Sequence, residues 1–212
     1  MSLPELNTAS LSALSSPRWP AFWPRPSAAT IRPPAVAVGL TSPEIAALVA
    51  AYGPKALAEQ LSIVARRAHT DDLVGALLAE DFGTPPPDGI ADVAPSFAPI
   101  GALLDGLDAQ YRASRQILPG TYLHLFMVGV AHHASGRGIA HHLLTTCLAN
   151  GKARGYGHAV TEATGNVSQH LFRKLGFREV LAASYKDFVF NDQRVFSSIG
   201  GPQATILMDR EL

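Results

Sequence analysis

A single cysteine, Cys147, stands in a chain of 212 residues. One thiol closes no intramolecular disulfide, so the chain is not one of the small stapled scaffolds of secreted proteins, and a reducing, cytoplasmic setting is expected. Charge of one sign is missing too: seventeen Lys and Arg balance seventeen Asp and Glu. Without the positive field that gathers nucleic acid or anionic membrane, neither is expected as a partner, and small molecules or proteins are favoured. No stretch approaches the ~20 uninterrupted apolar residues of a membrane span. Nor does a basic region followed by an apolar core open the sequence, since Leu3, Leu11 and Leu14 are scattered among Ser, Pro and Asn. No signal peptide is expected.

Proline is plentiful but unevenly spread. Pro17, Pro20, Pro24, Pro26, Pro33 and Pro34 crowd the first 34 residues, each restricting the backbone and removing an amide donor, so little regular structure is expected there. Trp19, Phe22 and Trp23 lie in the same stretch, and three large aromatics so close together are unusual for a disordered tail. Residues 1–28 therefore read as an arm packed on the domain or on a partner subunit, which leaves a homodimer open. Residues 29–212 read as one domain, within the usual size range.

Along that domain, Ile31–Val38 reads as a strand. Thr41 or Ser42 caps a helix that has Pro43 at its start and Gly53-Pro54 at its end. Leu61–Ala68 and Leu73–Phe82 read as a hairpin turning at His69–Asp72. Phe97, Ile100, Leu103, Leu104, Leu107 and Tyr111 recur at helical spacing. Tyr122–Val130 is nearly all apolar, as in a central strand covered on both faces. A helix at Gly138–Ala153, a strand at His158–Thr164, a helix at Val167–Leu175 and extended segments at Glu179–Phe190 and Ala204–Met208 complete the chain.

The segment Val128-Gly129-Val130-Ala131-His132-His133-Ala134-Ser135-Gly136-Arg137-Gly138-Ile139-Ala140 runs from a buried strand through a polar turn and alternating glycines into a helix. Small residues at 136, 138 and 140 let an anionic group approach the backbone, where successive amides and the helix dipole can bind a pyrophosphate. A tight strand-to-helix connection would need the same glycines. What separates the two readings is a second segment about thirty residues on, from Ala163 to Phe177: a helix entered through a small-polar turn and closed by Gly176, a residue suited to a left-handed cap.

Together these segments resemble the GNAT acetyltransferases. Val130, Gly136, Gly138, Ile139 and Ala140 match the first motif, V-x-x-x-x-R/Q-G-x-G-I/A. Leu171, Phe172, Lys174, Leu175, Gly176 and Phe177 match the second, a helix ending in K-L-G-F. Within the family, Thr164–Phe177 is most similar to the arylalkylamine and small-amine N-acyltransferases. The resemblance implies an α/β (α+β) fold: a mixed, mostly antiparallel sheet, splayed between the strand ending near Val130 and the strand at His158–Thr164, with helices on its faces. It implies acetyl-CoA as co-substrate, no metal, and direct transfer of the acetyl group to a primary amine of a small molecule. Pantetheine would lie in the gap, pairing with strand amides around Val128, Gly129 and Val130. The pyrophosphate would meet the amides of Ser135, Gly136, Arg137, Gly138, Ile139 and Ala140, and the second helix would add Ser168, Phe172 and Arg173.

Two positions depart from the family pattern. Ser135 stands where Arg or Gln precedes the first glycine, and Phe172 stands where many members carry a tyrosine that protonates the leaving thiolate. Ser168 is the nearest hydroxyl, either an acid for the thiolate or a hydroxyl that completes the start of the helix. For the base that deprotonates the amine, Glu162 leads over Glu80, Asp81 and His124, because its strand borders the gap. His132-His133 and His141-His142 do not form a metal-binding spacing, since chain neighbours point apart. Cys147 falls on an apolar helix face as a small core residue. Tyr185 either packs the last strands with Phe188, Phe190 and Phe196 or borders the acceptor pocket. Loops 82–97 and 188–201 are expected to shape that pocket. Alternatives to small-amine acetylation are a non-catalytic acyl-CoA-binding protein and a protein or peptide N-acetyltransferase.

Overall fold

The computed structural model describes residues 6–10 and 32–212. Most of the proline-rich arm, with Trp19, Phe22 and Trp23, lies outside the described residues. Seven strands form one sheet in the order β1-β2-β3-β4-β5-β7-β6: β1 Leu6–Ser10, β2 Ile63–Arg67, β3 Leu73–Asp81, β4 Tyr122–Val130, β5 His158–Ala163, β6 Arg178–Ser184 and β7 Ala204–Glu211. Neighbours are antiparallel except β4 and β5, which are parallel. The mixed, mostly antiparallel sheet is the architecture that the sequence implied.

Three expectations need correcting. Leu6–Ser10, within the arm, is a strand that pairs with β2 from Leu6↔Arg67 to Ser10↔Ile63. It contains no proline, so it can use the backbone donors and acceptors of an open sheet edge. Arg32–Ala37 is a helix, α1, rather than a strand. Pro33 and Pro34 occupy its first turn, where the missing amides have no intrahelical role, and Val38 N donates to Pro34 O at 3.1 Å. The helix α2, Ser42–Glu59, runs straight through Pro54. Ile45, Leu48, Val49, Tyr52 and Ala56 are buried on both sides of that proline, and their burial outweighs the ~3 kcal/mol of an interrupted helix. Its start follows expectation: the Thr41 side chain accepts from Glu44 N while the Glu44 carboxylate accepts from Thr41 N, a capping box.

The remaining helices are α3 Ile90–Val93, α4 Ala98–Ala113, α5 Ile139–Ala153 and α6 Asn166–Lys174. α5 covers one face of the sheet with Ile139, Leu143, Leu144, Cys147 and Leu148. Its contact with β3 is close: a Cβ on Gly75 would lie 2.9 Å from Ile139 Cγ2 and 3.0 Å from Leu143 Cδ1. α2 and α4 cover the other face through Leu48, Val49, Tyr52, Ile100, Leu103 and Leu104. Among the described residues no helix is long and apolar enough to cross a membrane.

One irregularity positions the site. Leu78 pairs with Met127 and Ala79 with Leu125, so Phe126 is an extra residue on β4. Such a bulge reverses the alternation of the strand. Val128 and Val130 share the α5-side core with Leu123 and Leu125, while Phe126 and Met127 both join the opposite core. His124 is thereby placed on the face covered by α4.

Candidate active site

β4 and β5 pair only from Tyr122↔His158 to His124↔Val160. Thr161 Oγ1 also donates to Leu125 O at 2.9 Å, and beyond His124↔Val160 no ladder pair joins the two strands among the described residues. Each runs toward a helix, α5 after β4 and α6 after β5, so both helix N-termini lie at the carboxyl end of the gap, where α/β sheets bind ligands. Val128, Gly129 and Val130 form the β4 side of the gap, and their opposite edge pairs with Leu77, Ala76 and Gly75.

The loop after β4 makes a single 3-10 turn, His132–Ala134, and reaches α5 through Gly136 and Gly138, both at φ +75°. A side chain is strained at either position. The Ser135 hydroxyl turns back to donate to Ala131 O at 3.3 Å. Arg137 is exposed, Ile139 is buried against the sheet and Ala140 is half-buried. His132, His133 and His141 are exposed on the loop and the first turn of α5.

On α6, Ser168 Oγ donates to Gly165 O at 2.9 Å and accepts from Gly165 N at 3.2 Å. The hydroxyl thus completes the start of the helix. Phe172 is buried in the core, edge-on to Phe177 with centroids 5.1 Å apart. Arg173 pairs with Glu179 on the surface. Gln169 Nε2 donates to Ala163 O and Ala204 O, which fastens α6 to the ends of β5 and β7. The Tyr185 hydroxyl donates to Thr164 O at 2.6 Å and accepts from Thr205 Oγ1 at 2.9 Å, while its ring packs on Phe196. Tyr185 therefore packs the last strands and does not line the cavity beside α4.

That cavity, about 400 Å3, opens on the α4 side of the sheet. Tyr52, Phe82, Phe97 and Phe126 are its aromatic walls, and Glu80, Asp81, Asp105, Asp108 and Glu162 are its carboxylates. Loop 82–97 contributes as expected, from Phe82 to Pro86 and at Phe97, whereas loop 188–201 contributes nothing to the lining. At its base His124 lies between two acids. Nδ1 is 3.0 Å from Glu80 Oε1, from the residue directly opposite on β3, and Nε2 is 2.8 Å from Glu162 Oε2 on β5. Lys55 Nζ stands 3.6 Å from Glu80 Oε2.

Burial alone would strip the proton from His124, yet the charge and hydrogen bond of Glu162, with those of Glu80, prevail and hold it well above the usual imidazole range. Burial would likewise raise Glu162, but His124 holds it below the usual carboxylate range. Both ring nitrogens therefore carry hydrogens that point at carboxylates. Asp108 behaves differently: burial and then the Glu162 charge push it up to about 8. Asp105, one turn earlier on α4, is raised by burial and then by Glu162.

The structure brings together Glu162, Glu80 and His124 from three strands. Asp81 also lines the cavity, but both its oxygens are engaged, accepting from Gly83 N, Gly120 N and the Tyr156 hydroxyl, a structural post for the loops. Sequence reasoning missed Asp108 and Tyr52. A signal for Asp108 was present: it follows Leu104 by four residues and precedes Tyr111 by three, so a carboxylate interrupts the apolar stripe of α4.

The parallel strand pair thus opens toward two helix N-termini, with a glycine-bent loop on one side and an acid-bracketed histidine on the other. The chain belongs to the acetyltransferase (GNAT) family, whose model matches residues 56–177, more than half of its length. Similar folds occur in the C-terminal condensation domain of Ebony in complex with β-alanyl-dopamine (TM-score 0.85, 17% identity, 98% of this chain and 99% of that one). The arylalkylamine N-acetyltransferase 2 of Aedes aegypti gives a TM-score of 0.71 at 18% identity over 97% of this chain and 98% of the other. An agmatine N-acetyltransferase gives 0.68 at 18% identity over 98% and 100%.

Proposed function

We propose that the protein transfers an acetyl group from acetyl-CoA to the primary amine of a small molecule by direct attack. The cavity at the β4–β5 splay carries this reading. It combines aromatic walls with buried carboxylates, a lining suited to an apolar or aryl body that ends in a cationic amine. Solved neighbours bound to β-alanyl-dopamine, or named for arylalkylamines and agmatine, support the same substrate class.

The donor side fits the thioester cofactor. Gly136 and Gly138 keep the backbone accessible: a Cβ at Gly136 would meet nothing within 4 Å. Amides of residues 135–140 would hold the pyrophosphate, and the β4 edge at Gly129 and Val130 would pair with the pantetheine as an added strand does. Bound there, the group supplies an activated acyl carbon. Glu162 and Glu80 fix the His124 ring at the base of the cavity, and the carboxylates around it supply the negative charge that a cationic amine needs. Ser168, at the first turn of α6, would have to turn its hydroxyl from Gly165 O to stabilise the departing sulfur.

Release of free thiol from acetyl-CoA in the presence of tryptamine, dopamine, agmatine and spermidine tests this reading. Amine-dependent release with at least one of them is expected. Binding of acetyl-CoA without turnover on any of them, or on peptide amines, would leave an acyl-CoA-binding protein instead.

A further inference from the structure

The acceptor amine arrives as an ammonium ion and must lose a proton before its nitrogen can attack, so some group in the cavity must take that proton. The residues bracketing His124 are poorly placed for this. The ring has both nitrogens committed to carboxylates, and as an imidazolium it has no lone pair to offer. Glu80 uses Oε1 on His124 and faces Lys55 with Oε2. Glu162 uses Oε2 on His124, and its side chain is only 2% exposed.

Three buried carboxylate oxygens of residues lining the cavity have no hydrogen-bond donor among the described residues: Glu80 Oε2, Glu162 Oε1 and Asp108 Oδ1. Glu80 Oε2 has the Lys55 ammonium 3.6 Å away to balance its charge, which leaves Glu162 Oε1 and Asp108 Oδ1. The two carboxyls interact, so a proton held between them, an ordered water or a donor brought by a ligand can satisfy them. Asp108 is half-buried on α4, with Asp105 one turn nearer solvent, and is the member of the pair open to the cavity. The donor both oxygens lack is what a primary ammonium carries, three N–H groups on one centre.

We propose that Asp108 takes the proton of the acceptor ammonium, with Glu162 as the buried partner that positions it. This rests on the acyl-transfer reading above. In the step, the Asp108 carboxylate takes one proton from R–NH3+, leaving R–NH2 and a carboxylic acid. The nitrogen lone pair then forms the C–N bond to the thioester carbon, and the C–S bond breaks with its electron pair going to sulfur. A second N–H proton passes to the thiolate, giving the amide and a free thiol. Asp108 afterwards loses its proton to water.

The charged and titratable groups facing Asp108 are Glu162 on β5, His124 on β4, Arg112 on α4 itself and Tyr52 on α2. Glu162 raises it, whereas His124 and Arg112 lower it; burial and Glu162 prevail, at about 8. A base with that value is poised for the working pH of most enzymes. Only the ionised form accepts a proton, so kcat/KM should rise about tenfold per pH unit below 8 and level off above it.

The test uses the full chain with 13C-labelled aspartate. In the absence of substrate, one carboxyl should titrate near pH 8, disappear in Asp108→Asn, and fall toward the ordinary range in Glu162→Gln. In the transfer assay, Asp108→Asn should lower kcat/KM by about 100-fold or more and abolish the limb below pH 8. The same variant should keep the thermal upshift produced by acetyl-CoA, which shows that it folds. The exposed Asp187→Asn should leave both readouts unchanged. An Asp108 carboxyl that titrates in the ordinary range, a value indifferent to Glu162→Gln, or an Asp108→Asn profile that keeps its limb would overturn the proposal. If the wild-type chain acylates no amine, the acyl-transfer reading fails, and the carboxyl titration still decides whether the Asp108–Glu162 pair holds a proton.

Discussion

The two sides of the splay are built from different materials. The proposed donor side, residues 128–140 with the start of α6, is a continuous stretch of backbone shaped by glycines and helix N-termini. The proposed acceptor side is a set of side chains from four elements, Glu80 on β3, Asp108 on α4, His124 on β4 and Glu162 on β5. A pyrophosphate can be bound by amides that any sequence supplies once the loop geometry is right. A cationic amine needs charged groups at chosen points, and those come from wherever the fold brings them. A substitution should therefore damage one side while sparing the other.

The largest effect should come from His124→Ala. It leaves Glu80 and Glu162 buried without their shared partner, a change that costs about 3–5 kcal/mol when a buried pair is broken. Transfer should fall below detection and the thermal midpoint should drop by roughly 10 °C, while a donor-induced upshift persists. If acetyl-CoA binding were lost as well, the two sides would not be separable. Next is Gly138→Val. It forces a branched side chain into a left-handed conformation at the head of α5, at about 1–2 kcal/mol. The roughly 2.7 kcal/mol of stabilisation expected from donor at 100 times its Kd should shrink or vanish in a thermal-shift assay, with the titration of Asp108 unchanged.

A smaller effect is a dependence of stability on pH. The folded values of His124 and Asp108 are both raised. Their contributions are present below the unfolded values, near 6.5 and 3.8, and are lost as pH rises through the folded ones. Thermal midpoints should therefore decline from pH 4 to beyond pH 8. Asp108→Asn should flatten the part of that decline that ends near pH 8; an unchanged slope would place the titrating group elsewhere. Ser168→Ala should be the mildest, at about 1 kcal/mol from the start of α6. A large fall in kcat without that loss of stability would give Ser168 a role at the departing sulfur beyond its bonds to Gly165.

Legibility followed the same division. The glycine pattern at 136 and 138, the Leu-Gly-Phe end of α6 and the apolar run of β4 were readable because each is a local demand on a contiguous segment. The misread elements were cases where context overrode a local rule. Pro33 and Pro34 permitted a first helical turn, the buried face of α2 continued past Pro54, and an open edge recruited Leu6–Ser10. Glu162 was found because it borders the motif, whereas Asp108 was missed because its neighbour lies on a strand more than fifty residues away.

The sequence by itself determined the family, the order of the principal elements, the bend of the donor loop and the presence of an acid beside the gap, since these depend on backbone conformation and period. Only the tertiary structure decided that a bulge at Phe126 re-phases β4, that His124 is bracketed by Glu80 and Glu162, and that Asp108 meets Glu162 in the cavity. An all-apolar strand has no alternation from which to read a bulge, and a carboxylate acquires its chemistry from the charges and burial around it.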